Sequence, residues 1–216
     1  GHGGALDPMA EGVLPILLGD AARLSDLALQ SDKGYEFCVC LGAETDTGDA
    51  EGQIVRRSEH IPEARQLREL IPEFLGEQEQ VPPMYSALKR DGQPLYKLAR
   101  RGESVERASR KIHVRSLTLA GIDSGVARLA TVVSKGTYIR TLAEDIARRA
   151  GSAGHLVYLR RTSASGLSEP LHRLEDIEAC PAKERRNLLL PVDCLAPQMP
   201  KLKVDADDAA RLRHGK

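Results

Sequence analysis

The stretch KGYEFCVCLG, residues 33–42, alternates strictly between apolar and mixed side chains, and this pattern most constrains the fold. A strand turns successive side chains to opposite faces, so the alternation predicts a half-buried strand with Tyr35 on its apolar face. Further strands are predicted at QIVRR (53–57), KIHVRSLTLAGI (111–122), VARLATVVS (126–134) and HLVYLRRTSASG (155–166). The chain must therefore build a sheet.

Helical spacing of apolar residues separates these strands. It predicts a helix over 20–30 with Asp20 as its N-cap, one over 61–75 disturbed by Pro72, and one over 135–151 that ends at Gly151. Residues 94–102, 175–180 and 184–190 are also predicted to be helical. Strands and helices interspersed in this way, with short turns between several strands, predict an α+β fold with helices flanking a mixed, largely antiparallel sheet.

Composition excludes several classes of protein. The four cysteines form no CxxC pair and accompany no histidine cluster, which makes a zinc site or a disulfide framework a weak interpretation and predicts free thiols in a reducing cytoplasm. No apolar run approaches the roughly 20 residues of a membrane span, and no signal peptide is visible. The chain begins with Gly1 rather than Met, so we expect a fragment of a longer protein.

Charge is unevenly distributed although the net charge is zero. Residues 83–111, called the basic arm below, carry eight bases against three acids. Such a run is most often a solvated loop, but Tyr85 and Tyr96 favour RNA, whose bases stack on aromatic rings. The arm's candidate phosphate contacts are Lys89, Arg90, Arg100 and Arg101.

The stretch GHGGALDPMAEGVLP, residues 1–15 and called the Asp7 loop below, has two interpretations. Asp7 followed by Pro8 is typical of a turn, and the dipeptide alone favours that structural role. A carboxylate held ionised in a closed pocket can also act as a nucleophile. The loop by itself does not decide between the two.

Several stretches in order along residues 1 to about 195 resemble one family. GHGGALDPMAEGVLP, DKGYEF, TDTGDAEG, PPMYSALKRDGQPLYKLARRG, KGTYIRTLAEDI and HLVYLRRTSASGL are similar to the bacterial TruB-type tRNA pseudouridine synthases, which isomerise uridine 55 in the T-loop of tRNA. The resemblance implies the pseudouridine synthase fold, no cofactor and no metal, a tRNA T-arm as partner, and a cytoplasmic monomer.

The resemblance also assigns residues to roles. It implies that Asp7 is the catalytic aspartate, that Arg140 is its countercharge, and that Tyr35 stacks on the extruded uracil with its hydroxyl as a general base. A guanidinium suits this task because it keeps its proton and grips both carboxylate oxygens. From its spacing alone, Tyr35 is a core residue. Attack at C1′, attack at C6 and a glycal route all use these same residues.

Binding residues follow from the same resemblance. Leu159 corresponds to an apolar residue that packs on the target base, although its position is equally that of a core residue. His2 fills the space left by the flipped base, and Tyr138 binds substrate from the turn that carries Arg140. Gly3 stands where a Thr is common in the family, which predicts a more flexible loop around His2.

The implied organisation is a catalytic domain over 1–196, with the basic arm as a mobile thumb at 83–111, followed at 197–216 by the start of a small PUA-like RNA-binding domain. Pro-rich residues 191–200 mark that boundary. Two alternatives remain at this point: an RNA-binding or RNA-folding module without catalysis, and a guide-RNA-dependent relative. The long basic arm favours the stand-alone bacterial type.

Overall fold

The structure is a computed structural model that describes residues 1–168, 170–196 and 199–214. Its strands are β1 (Glu11–Gly12), β2 (Lys33–Leu41), β3 (Ala43–Thr45), β4 (Ile54–Arg57), β5 (Gly76–Gln80), β6 (Lys89–Arg90), β7 (Gln93–Pro94), β8 (Arg110–Asp123), β9 (Val126–Val133), β10 (Gly154–Ala164) and β11 (Leu167–Ser168). Its α-helices are α1 (Ser25–Gln30), α2 (Ala64–Leu70), α3 (Leu95–Ala99), α4 (Ile139–Arg149), α5 (Leu174–Ala179) and α6 (Ala206–Arg213).

One large sheet has the strand order β1-β10-β2-β9-β8-β5, with β11 paired to the end of β10. Every pairing along it is antiparallel except that of β1 with β10. The β10–β2 register places Leu159 opposite Phe37 and Arg161 opposite Tyr35. Small separate hairpins are formed by β3 with β4 and by β6 with β7. The predicted mixed, largely antiparallel α+β fold is confirmed.

The main core lies between this sheet and helices α2 and α4. Phe37 and Val39 are each 1% exposed on the apolar face of β2, as the alternation predicted. Helix α4 contributes Ile139, Leu142, Ala143, Ile146 and Ala147, which follow the predicted helical spacing. Burying this stripe is the main reason the helix forms, because isolated helices of this length are marginal in water.

Most predicted helices are present, with corrected ends. Helix α4 begins after Tyr138, whose extended backbone makes it the N-cap, and Gly151 follows with φ of 74°. The predicted 61–75 helix is α2 followed by a 3₁₀ turn over Ile71–Phe74, because Pro72 cannot continue the α-helical hydrogen bonding. The 184–190 prediction is a 3₁₀ turn, Arg185–Leu188.

The prediction that Asp20 caps the helix over 20–30 is wrong. This segment starts as a 3₁₀ turn, Gly19–Leu24, and continues as α1. Leu18 occupies the N-cap position without a side-chain cap, and Asp20 falls within the first turn. The predicted domain boundary near residue 197 lies at residues 197–198, outside the described residues. Among the helices of the described ranges, none is both long and apolar enough to cross a bilayer.

Candidate active site

The carboxylate of Asp7 and the guanidinium of Arg140 form a bidentate ion pair. Arg140 Nε donates to Asp7 Oδ2 at 2.8 Å, and Nη2 donates to Asp7 Oδ1 at 3.1 Å. The Arg140 side chain is 5% exposed, whereas that of Asp7 is 32% exposed. The guanidinium is therefore fixed inside the protein while the carboxylate it holds remains open to a ligand.

Further contacts of Arg140 fix the direction of its guanidinium. Nη1 donates to the Thr47 carbonyl at 3.0 Å, and Nη2 donates to the Tyr85 carbonyl at 2.8 Å. The Asp49 carboxylate, 9% exposed, lies 3.8 Å from Nε and is a second countercharge for Arg140. A buried cation is stable when its donors are satisfied and a countercharge is near, and Arg140 meets both conditions.

Asp49 is held by the turn in which it lies. Its Oδ1 accepts a hydrogen bond from Thr47 Oγ1 at 2.6 Å and another from the Glu51 N–H at 3.1 Å. The same turn presents the Thr47 carbonyl to Arg140. TDTGDAEG therefore forms a hydrogen-bonded turn that contacts Arg140 through the Thr47 carbonyl and the Asp49 carboxylate.

The Asp7 loop reaches Arg140 through a turn. The Ala10 N–H donates to the Asp7 carbonyl at 2.9 Å, closing a turn with Pro8 after Asp7. The backbone of Asp7 thus begins a turn while its side chain pairs with Arg140, and its role as a nucleophile stays a prediction. The Asp7 loop also contains β1, which pairs with β10.

Tyr35 lies beside this pair on β2 and packs against the edge of the main core. Burial raises the pKa of its hydroxyl, the Arg161 guanidinium that hydrogen-bonds it opposes the rise, and the negative charge of Asp7 adds to it. The phenol is therefore protonated at neutral pH. Arg161 itself is 1% exposed and opposite Tyr35 in the sheet.

Tyr138 is positioned by a side chain that the sequence did not single out. The buried Gln80 amide donates from Nε2 to the Tyr138 carbonyl at 3.0 Å and accepts the Tyr138 N–H at 2.8 Å. This pairing joins the end of β5 to the start of α4, one residue before the buried Ile139. The Tyr138 side chain is half-buried.

Leu159 and His2 lie in different surroundings. Leu159 is 4% exposed and belongs to the core cluster, against which Met9 and Tyr35 pack. It is therefore a core residue in the protein without RNA. His2 is exposed, and its backbone forms an isolated antiparallel β-bridge with Ile16. Its Nδ1 accepts a hydrogen bond from the Gly4 N–H at 3.2 Å.

Gly3, next to His2, is tightly packed. It is buried, its N–H donates to the Pro15 carbonyl at 2.9 Å, and a Cβ there would lie 3.1 Å from Ala28 and Pro15 carbon atoms. Tight packing and a backbone hydrogen bond thus hold Gly3 in place, and the flexibility of the loop around His2 stays a prediction.

The basic arm contains more regular structure than a loop. Strands β6 and β7 form a hairpin around Asp91 and Gly92, both with positive φ, and α3 buries Leu95 and Leu98. Its predicted phosphate contacts are all exposed: Lys89, Arg90, Arg100 and Arg101. They do not join the Asp7–Arg140 pair, but the arm reaches that pair through the Tyr85 carbonyl.

Two side chains of the arm already interact within the chain. The Arg100 guanidinium lies 5.6 Å from the centre of the Tyr96 ring, so it covers one face of that ring. Arg90 Nη1 donates to the Glu106 carbonyl at 2.7 Å. The arm's cations are thus partly ordered before any ligand is bound.

Sequence reasoning missed three side chains of the site: Asp49, Gln80 and Arg161. Asp49 lies in TDTGDAEG and Arg161 in HLVYLRRTSASGL, so both belong to stretches that resemble the family. Gln80 gave no signal, because a single amide at a strand end is ordinary. Their roles depend on contacts between distant segments.

A partly exposed carboxylate fixed by a buried guanidinium, with a protonated phenol beside it, is suited to nucleophilic attack followed by proton transfer. Such a site on a mixed sheet flanked by helices defines the class of pseudouridine synthase-type enzymes. The solved structure "Crystal Structure of a Cbf5-Nop10-Gar1 Complex" matches with a TM-score of 0.74 at 25% identity over 100% of this chain and 58% of that chain. "Structure of H/ACA RNP bound to a substrate RNA containing 2'-deoxyuridine" matches in fold, with a TM-score of 0.72 at 22% identity over 57% of that chain.

Sequence comparison narrows the class to a family. Residues 1–139 match the TruB family pseudouridylate synthase N-terminal domain, and residues 140–196 match the tRNA pseudouridylate synthase B C-terminal domain. The tRNA pseudouridine synthase B of Aromatoleum aromaticum is 47% identical over 100% of this chain and 70% of its own length. That of Thiobacillus denitrificans is 43% identical over 100% of this chain and 73% of its own length. The chain belongs to the TruB family of pseudouridylate synthases.

Proposed function

We propose that this chain isomerises uridine to pseudouridine at position 55 in the T-loop of tRNA. The observation that carries the proposal is the bidentate Asp7–Arg140 pair, in which a partly exposed carboxylate is fixed by a guanidinium that is 5% exposed. Membership of the TruB family supports the reaction, and tRNA pseudouridine synthase B relatives at 43–47% identity support tRNA as the substrate.

The reaction breaks the bond between N1 and C1′ and forms a bond between C5 and C1′. The proton on C5 is lost and N1 gains one, so there is no net oxidation and no cofactor is needed. Asp7 supplies the nucleophilic carboxylate, at C1′ or C6 or through a glycal route, and Arg140 keeps it charged and oriented. Tyr35 stacks on the uracil, and its hydroxyl, once it has lost its own proton, is the general base whose oxygen accepts the C5 proton.

The target base must leave the folded T-loop to reach Asp7, which costs a few kcal/mol in lost stacking and pairing. His2 is exposed and beside glycines, which suits a side chain that enters the vacated space. Leu159 belongs to the core cluster against which Tyr35 packs, and we assign it as the apolar floor on which the flipped uracil packs. Tyr138, held by Gln80 next to Arg140, contacts the same nucleotide.

The remaining assignments follow from this substrate. The basic arm at 83–111 closes as a thumb on the T-arm, and its exposed cations contact phosphates without reading sequence. Residues 1–196 are the catalytic domain, and 197–216 begin a small PUA-like domain. The enzyme acts on free tRNA, without a guide RNA, because its sequence relatives are named tRNA pseudouridine synthase B and have almost twice the identity of the Cbf5 structure. We also expect a cytoplasmic monomer.

The test is tritium release from tRNA that carries [5-³H]uridine, because the C5 hydrogen is lost only when the isomerisation occurs. Asp7→Ala should abolish release while tRNA binding, measured by filter retention, is kept. Asp20→Ala serves as the matched control, since Asp20 is an exposed acid of the same region outside the site. Undiminished turnover by Asp7→Ala refutes the role of Asp7. A wild-type chain that binds tRNA but releases no tritium favours the RNA-binding module instead.

A further inference from the structure

Arg161 is the largest of the fully buried side chains in the described part of the protein, with 1% of its surface exposed. It lies on β10 in the large sheet, outside the ion pair that holds Asp7. Burying a guanidinium is costly unless its donors find partners, so a buried arginine is expected to organise what surrounds it. What surrounds Arg161 is the Asp7 loop.

The guanidinium donates to backbone carbonyls on both sides of Asp7. Nη2 donates to the Gly4 carbonyl at 2.9 Å, and Nη1 to the Ala5 carbonyl at 3.4 Å. Nε donates to the Val13 carbonyl at 2.7 Å. One planar side chain thus joins the segment before Asp7 to the segment after it.

The backbone of Arg161 adds a second attachment at the same place. Its carbonyl accepts the Val13 N–H at 2.7 Å, and Arg161 is the parallel β1–β10 partner of Gly12. Gly12 has φ of 101°, and a Cβ there would lie 2.2 Å from the Arg161 carbonyl oxygen. Only glycine allows this approach, because no real Cβ atom sits so close to another heavy atom.

We propose that Arg161 is a positioning residue for catalysis, which fixes the Asp7 loop on β10 so that the Asp7 carboxylate meets Arg140 and the substrate. The expected effect on turnover rests on the proposed function, whereas the attachment of the Asp7 loop to Arg161 does not. The segment between the two anchors, residues 6–11, has little regular structure before β1. Without its anchors this segment would sample many conformations, and the reacting carboxylate would lose its alignment.

Arg161 is also the partner of Tyr35 in the β10–β2 register. Burial raises the pKa of the Tyr35 hydroxyl, and the positive charge of Arg161 opposes the rise. Arg161 therefore joins the loop that carries the nucleophile to the strand position of the phenol assigned to proton transfer.

The first experiment replaces Arg161 with Met and with Lys. Misplacement of a reacting group by about 1 Å costs on the order of 100-fold in rate. We therefore expect kcat for tritium release to fall about 100-fold for Arg161→Met, while KM for tRNA changes less than about threefold because the basic arm is intact. Arg161→Lys keeps the charge but not the planar fork, so it should recover only part of the loss.

The matched control is Lys33→Met, which removes a second buried cation on the neighbouring strand β2. Lys33 Nζ donates to the carbonyls of Ala28, Leu29 and Ser31 rather than to the Asp7 loop. This variant should lower the unfolding temperature and leave kcat of the folded enzyme within about threefold of wild type. All rates are measured at least 15 °C below each variant's own midpoint, so that unfolding does not lower them.

A second perturbation reaches the same attachment by another route. Gly12→Ala places a methyl group against the Arg161 carbonyl and should reduce kcat with little change in KM, as Arg161→Met does. The double variant should be no slower than the slower single variant, because both changes release one attachment. Multiplied losses, or a kcat loss in Lys33→Met equal to that of Arg161→Met, overturn the proposal.

Amide hydrogen exchange separates failure of this inference from failure of the proposed function. Arg161→Met should exchange faster than wild type at residues 4–13, whereas Lys33→Met should not. Exchange at 4–13 that is unchanged by Arg161→Met overturns the proposal whether or not the chain turns over tRNA. Faster exchange there in Arg161→Met, together with a wild-type chain that binds tRNA but releases no tritium, would support the attachment and refute the catalytic function.

Discussion

Replacing Arg140 with lysine tests whether the guanidinium geometry, rather than its charge alone, prepares Asp7 for attack. Arg140 uses three nitrogens for its contacts with Asp7, Thr47 and Tyr85. Lysine keeps the positive charge but has a single nitrogen at its tip, which cannot bond both oxygens of Asp7 and both carbonyls in the same geometry.

The size of the effect follows from the bonds lost. A hydrogen bond to a charged group contributes about 1.5–3 kcal/mol, and about 1.4 kcal/mol corresponds to a tenfold change in rate. Loss of one of the two bonds to Asp7 therefore predicts a drop in kcat of about 10- to 150-fold. Because the Asp7 side chain is 32% exposed, water replaces part of the lost bond and the lower part of that range, about 10- to 50-fold, is expected.

The assay is single-turnover tritium release with enzyme in excess over tRNA, so that product release does not limit the rate. Arg148→Lys is the control, because Arg148 lies on the same helix, is 50% exposed and pairs with Glu44 instead of Asp7. Its rate should match wild type. A wild-type rate for Arg140→Lys, or an equal loss in both variants, would refute the reasoning from geometry.

Three further outcomes follow from the structure. Asp49→Asn removes the second carboxylate beside Arg140 and should lower kcat about tenfold with unchanged tRNA affinity; a change in affinity alone would contradict it. Burial by itself raises the pKa of Glu44, but hydrogen bonds from Arg56 and Arg148 outweigh burial and lower the pKa to about 2. A carboxyl group whose pKa is lowered by folding stabilises the fold above its unfolded pKa, and this stabilisation is lost as the pH falls through the folded pKa. Glu44→Gln should therefore cost about 1–2 kcal/mol of unfolding free energy at pH 7 and flatten the pH dependence of that free energy between about pH 4.5 and 2. The cost is smaller than the pKa shift alone implies because both arginines are half exposed; identical acid-unfolding curves would contradict this. Neutralising four cations of the basic arm should weaken tRNA binding and reduce the salt slope of log Kd by about 2–3, whereas an unchanged slope would exclude phosphate contacts from Lys89, Arg90, Arg100 and Arg101.

Local pattern accounts for much of the fold. The alternation around Phe37 and Val39 predicted β2, and the spacing of Ile139 and Ile146 predicted α4, because each pattern reflects which face of one element is buried. The same reasoning failed at Asp20, where the choice between a cap and a first-turn position depends on the 3₁₀ start at Gly19. Helix ends are decided by a few backbone torsions that neighbours impose.

The pairing of Asp7 with Arg140 was expected from a family resemblance, not from any pattern along the chain. The two residues are 133 positions apart, and their contact depends on the order of strands and on the register of β10 with β1 and β2. The support from Asp49 and the attachment through Arg161 also join segments that are distant in sequence.

The sequence by itself determined the elements of this protein, their buried faces and the presence of an aspartate that was free to be either a turn residue or a nucleophile. The tertiary structure decided that Asp7 is held by a buried guanidinium and that Arg161 joins the two flanks of its loop. The physical reason is one of range: side-chain periodicity depends on burial along one element, whereas an ion pair requires particular atoms of separate elements to lie within about 3 Å of each other.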